Sequence, residues 1–151
     1  MKKELNNKGF SLVELIIVIA IMAVLMGVLA PQYLKYVKQS KISTDITNAE
    51  EMATAINVAV ADGANTSDAD SVTVTAASAG TQVSGGSQIV SKSNGGSVNA
   101  PSCKVNKDWV WIITYDDNNG VKEIKLGANA SDAKVIWPTS TAYESYAKSN
   151  G

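Results

Sequence analysis

The sequence predicts an α+β protein: a long N-terminal helix, membrane-spanning in its first half and amphipathic in its second, packed against a small antiparallel β-sheet. Three observations predict it. Residues 9–31 read GFSLVELIIVIAIMAVLMGVLAP, with nothing but apolar residues and glycine from 15 to 30. Past Pro31 the apolar residues recur at spacings of three to five among charged ones, the mark of an amphipathic helix. Beyond residue 107 come alternating β-branched and aromatic runs broken by Asn, Asp and Gly, the mark of short strands and turns.

The first helix is set by length and by one acid. A helix rises about 1.5 Å per residue, so roughly 20 residues cross the hydrocarbon of a bilayer, and residues 10–31 suffice. Glu14 lies inside this stretch, where an ionised carboxylate costs on the order of 2.5 kcal/mol at the bilayer centre and less near its edge. It needs a partner. The preceding tail, MKKELNNKG, carries Lys2, Lys3 and Lys8 and ends in Gly9, a candidate cleavage point. A secretory signal peptide shares the basic start, and Val28-Leu29-Ala30 has the small residue of its cleavage site. The apolar run here exceeds the roughly 7 to 15 residues of a signal core, and Pro31 follows the would-be cut directly. An ordinary single-span membrane protein has no use for Glu14.

Lys8-Gly9, then Phe10-Ser11-Leu12-Val13-Glu14-Leu15, the unbroken apolar run and Pro31 together resemble the type IV pilins and their relatives, as a prepilin with a class III-type leader. The resemblance implies that residues 1–9 are a leader removed by a membrane-embedded prepilin peptidase, which cuts between Gly9 and Phe10 and methylates the Phe10 nitrogen. The mature chain then has 142 of the 151 residues. It implies that Glu14, fifth in the mature chain, pairs with the Phe10 amine of a neighbouring subunit. The family's mid-membrane glycine falls on Ala23, with Gly27 a turn later, so Gly27 and Pro31 are the positions at which the helix is expected to kink or stretch on assembly. The implied function is a structural subunit of a type IV pilus, made as a single-pass precursor of the cytoplasmic membrane with its N-terminus cytoplasmic, then polymerised with copies of itself into a surface filament. Its partners are the prepilin peptidase, the pilus assembly machinery in the membrane, and host or surface ligands. A pseudopilin of a type II secretion or DNA-uptake system shares the same N-terminal features, although secretion-type major pseudopilins tend to carry a calcium-binding C-terminal loop that is not evident here. A reading from another class is a membrane-anchored adhesin or binding module.

Composition narrows the function. Formal net charge is −1, and −3 once a leader with three lysines and one glutamate is gone. Nothing is basic enough to imply nucleic acid as a partner. The positive charges flanking the apolar run, Lys2, Lys3 and Lys8 against Lys35, Lys38 and Lys41, tie, so export of the long C-terminal portion follows from its size. There is no histidine, no arginine, no phosphate loop and no glycine-flanked nucleophile, so no enzyme activity and no cofactor are expected. Cys103 stands alone where many relatives of the family carry a disulfide-forming pair; burial as a small apolar residue is expected, with an interchain bond as the alternative.

The remaining elements follow in order. Residues 32–62 continue the helix, with a stripe of Leu34, Val37, Ile42, Ile46, Ala49, Ala53, Ile56 and Val60 among Lys35, Lys38, Lys41, Asp45, Glu50 and Glu51. Asp62-Gly63 ends it. Residues 63–106, rich in Gly, Ser and Thr, read as a connecting loop region with small apolar islands at 72–74 and 89–90 suited to short strands or ordered turns. Residues 107–138 form the sheet, in three or four strands: a hairpin from residue 109 to 126 turning at Asp116, Asp117, Asn118, Asn119 and Gly120, then a strand over 134–137 ended by Pro138. The oxygens of that turn resemble a calcium loop but fail the EF-hand spacing, so no metal is expected. Trp109 and Trp111 share one face, read as core. Residues 139–151 are a tail whose Tyr143 and Tyr146 tuck onto the sheet, while residues 148–151 fray. Asn65-Thr66-Ser67 and Asn129-Ala130-Ser131 match the glycosylation acceptor pattern.

Overall fold

A computed structural model describes residues 9–61, 71–77, 80–84, 101–116 and 120–150. The chain divides into two compact units, Met1–Val37 and Lys38–Gly151. Helix α1, Leu12–Ala61, belongs to both and contains Pro31. Its residues in the first unit are exposed as far as Tyr36.

In the second unit α1 meets a sheet of five antiparallel strands: β1 (Ser71–Ala77), β2 (Gly80–Ser84), β3 (Val110–Asp116), β4 (Gly120–Gly127) and β5 (Lys134–Trp137), in the order β2-β1-β3-β4-β5. The expected hairpin is β3–β4, with Trp111 opposite Leu126 and Ile113 opposite Ile124, all four buried. These cross-strand pairs form the floor of the core. Ile42, Ala49, Met52, Ala53 and Ile56 of α1 lie on it, with Ile46 and Val60 half-buried at the margin. Leu34 is exposed, so the buried stripe starts at Ile42 rather than where the apolar periodicity starts.

The sheet is wider than three or four strands. The apolar island at 72–74 is the middle of β1, where Val74 pairs with Trp111, and β2 adds a further edge strand from GTQVS. An edge strand gains its stability from backbone pairing with a neighbour already in place, so it needs no apolar run to announce it. The island at 89–90 and residues 117–119 of the turn lie outside the described residues, and so does the calcium-like reading of that turn.

The expected tail is a helix, α2 (Thr141–Asn150), in which residues 148–150 continue the last turn where fraying was expected, and residue 151 lies outside the described residues. The Ser140 hydroxyl donates to Glu144 Oε1 at its start, Tyr143 and Ala147 are buried one turn apart, and Lys38 Nζ donates to the Lys148 carbonyl near its end. A lysine on a carbonyl of the last turn and the Ser140–Glu144 contact at the start brace a short helix that length alone leaves marginal. Trp109, just ahead of β3, stacks on Tyr146 at 4.9 Å and meets Tyr143 edge-on at 6.3 Å. Asn129 is committed locally: its Oδ1 accepts from the Ser131 and Asp132 amides, both at 3.0 Å, and its Nδ2 donates to Asp132 at 2.9 Å. That explains one acceptor-like triplet as turn chemistry.

The polar centre of the core was not legible as such. Asp45, grouped above with the solvent-facing charges of α1, is completely buried. Its Oδ2 accepts from the Tyr143 hydroxyl at 2.7 Å, the Cys103 thiol at 3.1 Å and the Val105 amide at 3.1 Å; its Oδ1 accepts from the Lys104 amide at 2.7 Å. One carboxyl thus ties α1 to the segment before β3 and to α2. Cys103 is buried and free. Burial pushes its thiol up to about 12, and the neighbouring Asp45 adds to the rise; burial likewise raises the Tyr143 phenol.

Two expected results follow from these contacts. The folded thiol holds its proton to about pH 12, whereas an unfolded one releases it near 9.0, so the native state binds more protons between those values. Stability from this group is complete below pH 9.0 and falls as pH rises, by about 1.4 kcal/mol per unit. Cys103→Ser, which keeps a donor for Asp45 but does not ionise, should flatten the decline in Tm between pH 9 and 10, as followed by circular dichroism. Gly120 has φ +80°, and a Cβ there would collide with Asn57 Oδ1, which accepts from the Val121 amide at 2.8 Å. Gly120→Ala should therefore cost about 2–3 kcal/mol, from left-handed strain and the displaced contact together. Adding Asn57→Ala should relieve the collision, visible as a non-additive pair of melts.

Candidate functional site: the exposed N-terminal helix

Ser11 precedes the first helical turn, its carbonyl accepts from the Leu15 amide at 3.2 Å, and its own amide donates to Glu14 Oε2 at 2.9 Å. An acid in the first turn satisfies an otherwise unpaired amide and faces the positive end of the helix dipole. In the single chain Glu14 is therefore exposed and used only as a local cap.

Beyond it the helix is an uncovered apolar rod. Its most apolar window has a mean hydropathy of 3.0 and none of it is buried. Among the described residues α1 is the one helix long and apolar enough to cross a membrane. Tyr33 and Tyr36 are exposed just past Pro31, beside Lys35, where an amphipathic ring suits a membrane–water boundary. A Cβ added at Gly27 would meet nothing, so none of the described residues packs there. Helix α1 runs without a break through Gly27 and Pro31, since proline removes only one donor from a ladder that is otherwise complete.

The fold does not gather the sequence-predicted residues into a pocket. Gly9 and Phe10 are exposed ahead of α1, Phe10 at 86%, and Glu14, Gly27 and Pro31 follow along the helix. The site is a line of residues with no partner among the described residues beyond the Ser11 cap. Sequence reasoning missed Asp45 as a core anchor. The available signal was position: it falls three residues after Ile42 and four before Ala49, on the buried stripe itself.

These features define an α+β protein with, among the described residues, one membrane-length helix, near its N-terminus. Residues 5–30 match the family described as the prokaryotic N-terminal methylation motif. The chain is 42% identical over 57 residues to the type IV major fimbrial protein FimA of Dichelobacter nodosus, covering 38% of this chain and 36% of that one. It is 34% identical over 57 residues to a fimbrial protein of Pseudomonas aeruginosa, covering 38% of this chain and 37% of that one. Prepilin peptidase-dependent protein A of Clostridium perfringens is 36% identical over 90 residues, covering 58% of this chain and 64% of that one. The chain thus spans little more than a third of the length of the fimbrial relatives it matches. No solved structure matches it. The N-terminal segment of this chain carries the prokaryotic N-terminal methylation motif and is similar to the corresponding part of type IV fimbrial proteins.

Proposed function

We propose that the chain is a structural subunit of a type IV pilus. It is inserted in the cytoplasmic membrane with its N-terminus on the cytoplasmic side and cut between Gly9 and Phe10 by a prepilin peptidase. The new Phe10 nitrogen is methylated, and the pilus machinery packs the helix among its copies into a surface filament. The observation that carries this reading is the exposed apolar helix with one acid in its first turn. Lipid already hides apolar area, so assembly gains little from the hydrophobic effect and depends on close packing and on polar pairing. Glu14 supplies the pairing, with the Phe10 amine of a neighbour as its cation. The names of the fimbrial and peptidase-dependent relatives support the same reading.

Filaments sheared from cells and analysed by mass spectrometry should contain a chain starting at N-methylated Phe10. Gly9→Ala should block the cut, leaving only a precursor-length band in the membrane fraction and no filaments. Filaments built from chains that retain residues 1–9 would refute the proposal.

A further inference from the structure

Within the second unit an open groove of about 380 Å³ is lined by Ser40, Lys41 and Thr44 of α1 and by Ser102, Cys103, Lys104 and Lys107 of the segment that Asp45 binds. All three lysines are exposed. Among the described residues the ion pairs are Lys125–Glu123 at 2.7 Å and Lys148–Glu144 at 3.8 Å, so none of the groove's ammonium groups is paired with a carboxylate of those residues. Asp45, the acid beneath them, is turned inward on its four donors, and Asp108 is the one exposed acid adjoining Lys107 in sequence. The groove is cationic and lined with hydroxyls.

The complementary charge lies on the same helix but on its other side. Glu50 is exposed nine residues after Lys41. Nine residues are about two and a half helical turns, so the two side chains leave α1 on opposite flanks, separated axially by about 14 Å. Glu50 shares its flank with the exposed Ser43, Thr47 and Thr54 and is its one acid among these. No motion of a single chain can join the two flanks. A second copy lying parallel can, when displaced along the helix axis by that same 14 Å or so.

We propose that the lysine groove formed by Lys41, Lys104 and Lys107 receives Glu50 of a second copy of this chain. The inference rests on the polymerised subunit proposed above, since helices anchored in one membrane share one direction. Because groove and acid are different patches on opposite flanks, each copy that donates its Glu50 still offers an empty groove. The contact is heterologous and does not close on itself, which is the geometry of an open helical filament. Charge complementarity of this kind sets axial register and rejects slipped neighbours more than it adds raw affinity.

The test uses the full-length chain in cells, scoring sheared surface filaments, with mature chain in the membrane and maleimide-resistant Cys103 as the control for folding. Lys41→Glu alone and Glu50→Lys alone should each lower filament yield by about tenfold or more, from like charges placed together. The double variant, which sets an acid at position 41 against a cation at position 50, should raise the yield above that of either single variant, short of full recovery because Lys104 and Lys107 still line the groove. In filaments of Lys41→Cys/Glu50→Cys, mild oxidation should give intermolecular disulfide-linked multimers absent from either single cysteine variant. Wild-type yields from both single reversals would overturn the pairing and leave the groove to a soluble anion. Single losses that the double variant does not improve would overturn it also. Failure of the unaltered chain to form filaments would instead refute the pilus subunit reading itself.

Discussion

Replacing Glu14 by alanine is expected to leave the chain in the membrane and to abolish the filament. The two halves of that result come from different terms. In the single chain Glu14 makes one exposed hydrogen bond to the Ser11 amide, worth about 0.5–1.5 kcal/mol, so its loss frays a turn without unfolding anything. Removing the acid also lifts an insertion penalty on the order of 2.5 kcal/mol or less, so membrane residence holds or improves. Assembly suffers because the Phe10 amine of each neighbour is then left among apolar helices without its counter-charge, and truncating one partner of a buried pair costs about 3–5 kcal/mol at every subunit contact. Fractionation should find mature Glu14→Ala protein in membranes, and electron microscopy should find bare cells. Wild-type quantities of filaments from this variant would sink the role given to Glu14.

The second large effect is expected in the head. Asp45→Ala removes the acceptor from the Cys103 thiol, the Tyr143 hydroxyl and the amides of Lys104 and Val105 at once. Each stranded donor costs about 1–3 kcal/mol, so the sum reaches at least about 4 kcal/mol, a large part of the 5–15 kcal/mol that holds a typical domain. For a unit of this size that is a fall in Tm of about 15 °C or more, readable from Trp109 and Trp111 fluorescence in detergent. Asp45→Asn should fall between, because three of the four donors converge on Oδ2 and an amide oxygen placed there still accepts them, leaving the Lys104 amide facing an NH₂ group. A melt of Asp45→Ala within a few degrees of the unaltered chain would show that the carboxyl is not what joins α1, the segment before β3 and α2.

The two variants separate the parts of the molecule. A Glu14 variant should keep a normal head melt, and an Asp45 variant should keep its apolar helix while losing the surface on which the proposed contact between copies is made. The lysine groove depends on that distinction, since the segment carrying Lys104 and Lys107 is held in place by Asp45 through the Lys104 and Val105 amides.

How much was readable in advance depended on the range of the interaction. The apolar run, the acid at Glu14, the continuation of α1 to Ala61 and the β3–β4 hairpin are all written in residues that lie near each other in the chain. Hydrophobic length, helical period and turn chemistry are local quantities, and the sequence by itself determined them. The edge strand β2 and its pairing with β1, the helical nature of the ten residues of α2 and the burial of Asp45 were decided by tertiary structure. An edge strand needs a partner backbone, a ten-residue helix needs a surface to lie on, and a buried acid is tolerable only where donors from residues 103–105 and 143 converge on it. Those donors are 58 to 98 residues away in sequence, and no local pattern around Asp45 announces them.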